Sequence, residues 1–174
     1  MTLIVENGTG LANAESYISV SDASTYHANR GNTDWAAIAS DTIREQLLRK
    51  STDYMMAVYR LRWNGYRYNV TQALDWPRVY VPILDTMSAN QFPQYVDFNI
   101  VPTIVANACA ELALKANSDT LLADATQGTI REKVDVIEVE YDRYSPQYRR
   151  YLQIDNMLNV YFKSSDGSAT LIRT

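Results

Sequence analysis

The sequence is poor in catalytic equipment. It has one cysteine, Cys109, and one histidine, His27, in 174 residues. A single thiol forms no intramolecular disulfide and no thiolate metal cluster. One histidine with no cysteine partner does not build the usual zinc site. Cys109 stands in Ala108-Cys109-Ala110, where it reads as a small buried hydrophobe, and this cysteine usage fits a reducing compartment. His27 reads as a satisfied surface or half-buried side chain. Glycine is also sparse, with six residues, and no phosphate-cradling loop of the P-loop or dinucleotide type occurs. Gly8-Thr9-Gly10 is too short for one. A Ser-His-Asp set drawn through His27 has no nucleophile-elbow sequence behind it. Carboxylate pairs are easily drawn among 20 acids, so their number carries no specificity. No apolar run approaches the roughly 18 residues of a membrane span, and Met1–Asn7 lack the basic and apolar regions of a signal peptide. The expectation is a chain with no catalytic role, no cofactor, no metal and no membrane contact.

What is present is enough apolar material for a core. Hydrophobic residues make up 47% of the chain, and the length suits one domain, or one domain with an arm. The net charge of −4 is unevenly spread. Between Arg44 and Arg78 seven basic residues face three acids, a local balance of +4, so the remainder carries −8. A global acidic balance argues against a dedicated nucleic-acid coat.

Periodicity places the elements. Ser21 is the expected cap of a short helix over 22–30, stopped by Gly31. Ser40 opens the strongest helix, 41–60, with Ile43, Leu47, Tyr54, Met55 and Val58 on its buried face. Residues 80–101 hold Pro82, Pro93 and several aromatics without a clear period, and read as a long packed loop. Pro102 suits the first turn of a helix over 102–117. Its buried stripe is Val105, Ala108, Cys109, Leu112 and Ala116, with Glu111 and Lys115 as a surface pair. Alternation that changes parity near Val136-Ile137 predicts a hairpin over 129–141. A last helix, 148–162, is apolar nearly all round, which predicts burial against a partner as well as its own chain. The fold expected is mainly α: a small helical bundle with a short β-hairpin and an extended C-terminal arm. Its division is 1–142 for the helical domain and 143–174 for the C-terminal helix and tail.

Between these helices lies a corner. Trp63-Asn64-Gly65 and Gln72-Ala73-Leu74-Asp75-Trp76-Pro77-Arg78 hold two of the three tryptophans. Trp35, Trp63 and Trp76 are expected in the core. The segment Tyr59-Arg60-Leu61-Arg62-Trp63-Asn64-Gly65-Tyr66-Arg67-Tyr68 alternates cations with rings, as single-strand binders do. Two readings stand. In one, Arg60, Arg62, Trp63 and Arg67 contact nucleic acid. In the other, Trp63 and its neighbouring tyrosines fill the core, while the arginines stack on them or pair with acids.

Those corner motifs resemble a known family when taken in order with Ala14-Glu15-Ser16-Tyr17-Ile18-Ser19-Val20, Tyr26 through Trp35, Ser51-Thr52-Asp53-Tyr54, Val101-Pro102, Ala108-Cys109-Ala110-Glu111-Leu112-Ala113, Arg131-Glu132-Lys133-Val134 and Ile137-Glu138-Val139-Glu140-Tyr141. The chain resembles tailed-bacteriophage head–tail connector or adaptor proteins, a family often labelled DnaT-like single-stranded-DNA-binding proteins. The resemblance covers roughly residues 10–79 and 101–142; residues 80–100 are longer than the family leads one to expect. It implies a structural virion protein at the head–tail junction, made in the host cytoplasm. It implies a ring, a dodecamer, below the portal. Its partners would be other copies, the portal protein and the next connector or tail protein, with double-stranded genomic DNA passing through the lumen without sequence-specific binding. The alternative is the single-strand-binding activity of the label. The side chains expected to meet partners are Tyr151, Leu158, Phe162, Leu171 and Ile172 of the C-terminal segment, with Phe92 and Tyr95 of the long loop.

Overall fold

A computed structural model describes residues 2–87, 93–122, 131–134, 137–140 and 150–163. Its elements are α1 (Val20–Ala28), α2 (Thr33–Ala36), α3 (Asp41–Tyr59), β1 (Tyr66–Arg67), β2 (Arg78–Val79), β3 (Pro82–Met87), β4 (Pro93–Tyr95), α4 (Thr103–Ala116), β5 (Arg131–Val134), β6 (Ile137–Glu140) and α5 (Leu152–Leu158), followed by a 3-10 turn, Asn159–Tyr161. The domain is small and mainly α.

Helices α3 and α4 form the central pair, with α1 and α5 packed against them. The α3 segment contains no glycine or proline, and the Ser40 hydroxyl accepts from the Ile43 N–H at 3.3 Å to cap its start. Small side chains let the two helices approach closely. Ala108, Cys109, Ala110 and Ala113 of α4 are fully buried, and the Ser51 hydroxyl of α3 donates to the Cys109 carbonyl at 2.6 Å. The buried face of α3 is carried by Leu47, Leu48, Tyr54, Met55 and Tyr59. Ile43 and Val58, expected on that face, are exposed, Ile43 in the first turn and Val58 one position before buried Tyr59, which takes the inward place in the last turn.

Three other expectations need correction. The cap of α1 is Ser19, whose side chain accepts from Asp22 N–H, not Ser21. Residues 80–101 are no structureless loop: β3 and β4 pair antiparallel, with Pro82 opposite Tyr95 and Ile83 opposite Gln94. The alternation hidden in Pro82–Met87 is broken by a register shift, which removes the strict period of two. Glu111 is buried and accepts from the Tyr26 hydroxyl at 2.9 Å, so it is a core acceptor and not half of a surface pair. Burial first, and then this bond, push the Tyr26 hydroxyl up to about 12.

The β5–β6 hairpin lies where alternation placed it, with Arg131 opposite Glu140 and Val134 opposite Ile137. At the other end of the chain, the turn after Val5 is organised by one buried carboxylate. Glu6 accepts from the N–H groups of Gly8, Gly10 and Leu11, each at 2.9 Å.

Gly65 is the one glycine the corner cannot replace. Its φ is +64°, and a Cβ there would stand 2.1 Å from the Val79 carbonyl oxygen. Gly65→Ala is expected to cost about 2 kcal/mol, through backbone strain plus displacement of β2. Urea unfolding monitored by circular dichroism measures it, and an unchanged midpoint would contradict the reading.

Candidate nucleic-acid and partner interface

The alternating segment Tyr59–Tyr68 leaves the end of α3 and wraps the corner. Trp63 is fully buried. Its ring centroid lies 5.0 Å from Phe162, 5.7 Å from Trp76 and 6.0 Å from Tyr59. An indole enclosed by three rings offers no face to a base. Trp35 and Trp76 are buried as well.

The arginines between the rings are held by their own chain. Arg60 Nε donates to Asp75 Oδ1 at 2.8 Å. Arg62 Nη1 donates to Asp155 Oδ1 at 2.9 Å, and its guanidinium lies 4.0 Å from the Phe162 ring centroid. Arg67 Nη1 donates to the Gln72 carbonyl at 3.1 Å. Arg78 is buried, with Nε donating to the Asn64 carbonyl at 2.8 Å and Nη2 to the Gly65 carbonyl at 2.8 Å. Burial holds the Arg78 guanidinium below its ordinary range, and nearby Asp75 opposes that shift. Of the two sequence readings, the structure therefore supports the one in which Trp63 fills the core and the arginines stack or pair. The nucleic-acid contact that the alternative reading gives Trp63 does not fit its burial, whereas its expected place in the core does.

The C-terminal segment closes this corner. Asn64 N–H donates to the Tyr161 carbonyl at 2.9 Å, and Lys163 N–H to the Arg62 carbonyl at 2.7 Å. Asn64 Nδ2 adds a bond to the Phe162 carbonyl at 2.9 Å. Tyr151, Leu158 and Phe162 were expected to meet a partner, but all three are buried within their own chain. The apolar pattern of this segment is spent on α4 and on the tryptophan corner. The helix is also shorter than expected, starting at Leu152, with Arg150 and Tyr151 outside it. Leu171, Ile172 and Phe92 lie outside the described residues.

Tyr95 is half exposed. It belongs to a set of surface aromatics around the corner: Tyr66 at 73% and Tyr80 at 70% exposure, with Tyr68 and Phe98. Tyr68 stacks on Phe98 at 5.4 Å, and Tyr80 meets Tyr95 edge-on at 6.4 Å. Tyr80 holds φ at +60°, a left-handed backbone uncommon for a side chain of its size. Beside these rings, β3–β4, the start of α4 and the 3-10 turn line an open groove of about 570 Å³. Sequence reading missed this groove because it took 80–101 for a loop; the runs Ile83-Leu84 and Ile100-Val101 were the available signal.

His27 is a correction too. It is fully buried, not at the surface. Its Nε2 lies 3.1 Å from the Ala110 carbonyl, and its Nδ1 lies 3.0 Å from Asn32 Nδ2. The neutral tautomer with hydrogen on Nε2 satisfies both, donating to the carbonyl and accepting from the amide. A second proton on Nδ1 would face the Asn32 amide hydrogens. Burial foremost holds the imidazole below its ordinary value of 6.5, opposed by the Ala110 carbonyl and Glu111 and assisted by Arg30. The unfolded chain therefore binds the proton more readily. The stability contributed by neutral His27 is complete above about pH 6.5 and is lost as pH falls through the lower folded value. Urea midpoints are expected to drop on acidification below that point, with a shallower drop in His27→Gln. Equal slopes for the two proteins would refute the assignment.

Among the described residues no group of three or more His, Cys, Asp or Glu side chains converges as a metal site, and no helix is long and apolar enough to cross a membrane. The geometry defines a small, mainly α domain with a sealed tryptophan corner and exposed rings around it. The family described as "Putative DnaT-like ssDNA binding protein" matches residues 1–174, and the chain belongs to that family. No curated protein and no solved structure matches it significantly.

Proposed function

We propose that this chain works by assembly, as a head–tail connector subunit of a tailed-phage virion. It forms a ring below the portal, meets the next connector or tail protein on the other side, and lets the double-stranded genome pass through its lumen. It catalyses no reaction. The observation that supports this reading is the contrast at the corner. Tyr66, Tyr68, Tyr80, Tyr95 and Phe98 are exposed, whereas Arg60 and Arg62 are committed to Asp75 and Asp155. Exposed tyrosine and phenylalanine with neutralised cations suit a protein interface better than a phosphate backbone, whose affinity comes from free cations. A closed ring needs a heterologous contact, one surface of each copy on a different surface of the next.

The family description favours a second reading, single-stranded-DNA binding. In it the stacking rings are Tyr66 and Tyr80, since Trp63 has no exposed face. Two measurements separate the readings: native mass of the chain with and without portal protein, and anisotropy of a labelled oligonucleotide across a salt series. The connector reading expects a ring mass and no tight oligonucleotide binding. Monomer beside the portal, together with oligonucleotide affinity that collapses with salt and is lost in Tyr66→Ala, would replace it with the second reading.

A further inference from the structure

His27 fastens α1 to the rest of the domain, and it does so in one protonation state. Nε2 meets the Ala110 carbonyl of α4 at 3.1 Å, and Nδ1 meets the Asn32 amide at 3.0 Å. The ring also lies 4.8 Å from Trp35 of α2 and 5.2 Å from Tyr26. The side chain is fully buried. A second proton would therefore leave a desolvated cation, with its new N–H set against the hydrogens of the Asn32 amide. The charged groups around the ring do not offset this cost. Glu111 of α4 favours the proton, but the Tyr26 hydroxyl already donates to its carboxylate at 2.9 Å. Arg30, on α1 itself, is a cation and opposes a second one. The single charged side chain of α2, Asp34, is exposed. From α3, Arg44 reaches this region and donates to the carbonyls of Trp35, Ala36 and Ile38.

The same bonds mark where the structure can part. Before α1 the chain is anchored at Tyr17, whose hydroxyl accepts from the Asp75 N–H at 3.0 Å. After α1, Arg44 ties α2 to α3. Between these anchors, among the described residues, the side-chain hydrogen bonds from α1 to α4 are those of Tyr26 and His27. Gly31, in the turn after α1, has no atom within 4 Å of where a Cβ would stand, so this turn has room to move. With nine residues, α1 is too short to stay helical in water once it leaves its support.

We infer that α1 and the turn to Asn32 form a proton-triggered latch: protonation of His27 releases this segment from α4, while α3, α4 and the tryptophan corner stay folded. Once released, the imidazole is hydrated and carries the second proton without penalty, so one proton drives the opening. The face of α4 around Ala110 and Glu111 is then uncovered. The opening is local, distinct from the global unfolding that urea measures, and it operates whether the protein forms rings or binds DNA.

Hydrogen exchange of the full chain tests it, resolved by peptide and corrected for the intrinsic pH dependence of exchange. Opening of residues 23–29 is expected to rise about tenfold between about pH 7.5 and about pH 5.5, the slope of a single proton taken up near the ordinary imidazole value. Over the same range the amides of α3 and of the corner are expected to hold their protection. His27→Gln is expected to abolish the rise. Asn32→Asp, at a half-buried position, is expected to reverse it. The carboxylate it introduces accepts from the second imidazole N–H, so the closed state binds the proton more readily than the open one, and acid keeps the latch shut. No rise in the wild type, a rise shared equally by α3, one that persists in His27→Gln, or one as steep in Asn32→Asp would overturn the inference.

Discussion

Trp63→Ala is expected to destabilise the protein by about 3–5 kcal/mol, the range for removing a large buried aromatic. The residue is fully buried and touches rings from three separate parts of the chain: Tyr59 at the end of α3, Trp76 in the corner and Phe162 after the 3-10 turn. Removing the indole leaves a cavity that none of these segments can fill alone. It also loosens the backbone pairing of Arg62 and Asn64 with Lys163 and Tyr161 of the C-terminal segment. Trp63→Phe is expected to cost much less. It keeps a ring, and it removes an indole N–H that finds no hydrogen-bond partner among the described residues. Thermal melting with near-ultraviolet circular dichroism compares the two variants. Equal melting temperatures for wild type and Trp63→Ala would sink the packing argument. One practical consequence follows for nucleic-acid assays: loss of binding in Trp63→Ala would report unfolding, and Tyr66→Ala is the informative substitution.

The second large effect is expected at Arg78. Its guanidinium is buried and donates to three carbonyls, those of Asn64, Gly65 and Asp75. These carbonyls belong to turns that β1 and β2, only two residues each, are too short to satisfy. Arg78→Ala orphans all three and is expected to cost about 3 kcal/mol. Arg78→Lys is expected to recover only part of this, since an ammonium has no planar fork with which to reach both Asn64 and Gly65. Chemical unfolding of the two variants gives the comparison. A lysine variant as stable as wild type would mean that charge alone, and not the fork, organises the corner.

The helices were legible because each carries its own signals. Ser40 and a run free of glycine and proline mark α3, Pro102 and an alanine-rich stripe mark α4, and the parity change at Val136-Ile137 marks the β5–β6 turn. The tryptophans were legible as core because large rings near a turn glycine and a proline must be sheltered. The β3–β4 hairpin was not legible. Its register shift breaks the period of two, and Pro82 and Pro93 resemble loop punctuation until they are seen on strand ends. The candidate interface was half legible. Tyr95 was named from sequence and stands exposed, but nothing local tells Trp63, sealed among rings, from Tyr66, three residues later and open to solvent.

The sequence by itself determined the mainly α class, the positions of α3, α4 and the β5–β6 hairpin, and the absence of any recognisable catalytic motif. These follow from spacing, caps and composition, which act within a few turns of chain. Only the tertiary structure decided the rest: that Tyr151, Leu158 and Phe162 face inward, that Arg60 and Arg62 find Asp75 and Asp155, and that His27 is sealed between Asn32 and Ala110. Arg62 and Asp155 are 93 positions apart. No local rule fixes such a pair, because an apolar or charged face says only that it needs a partner; the packed chain alone determines whether that partner is another molecule or its own distant segment.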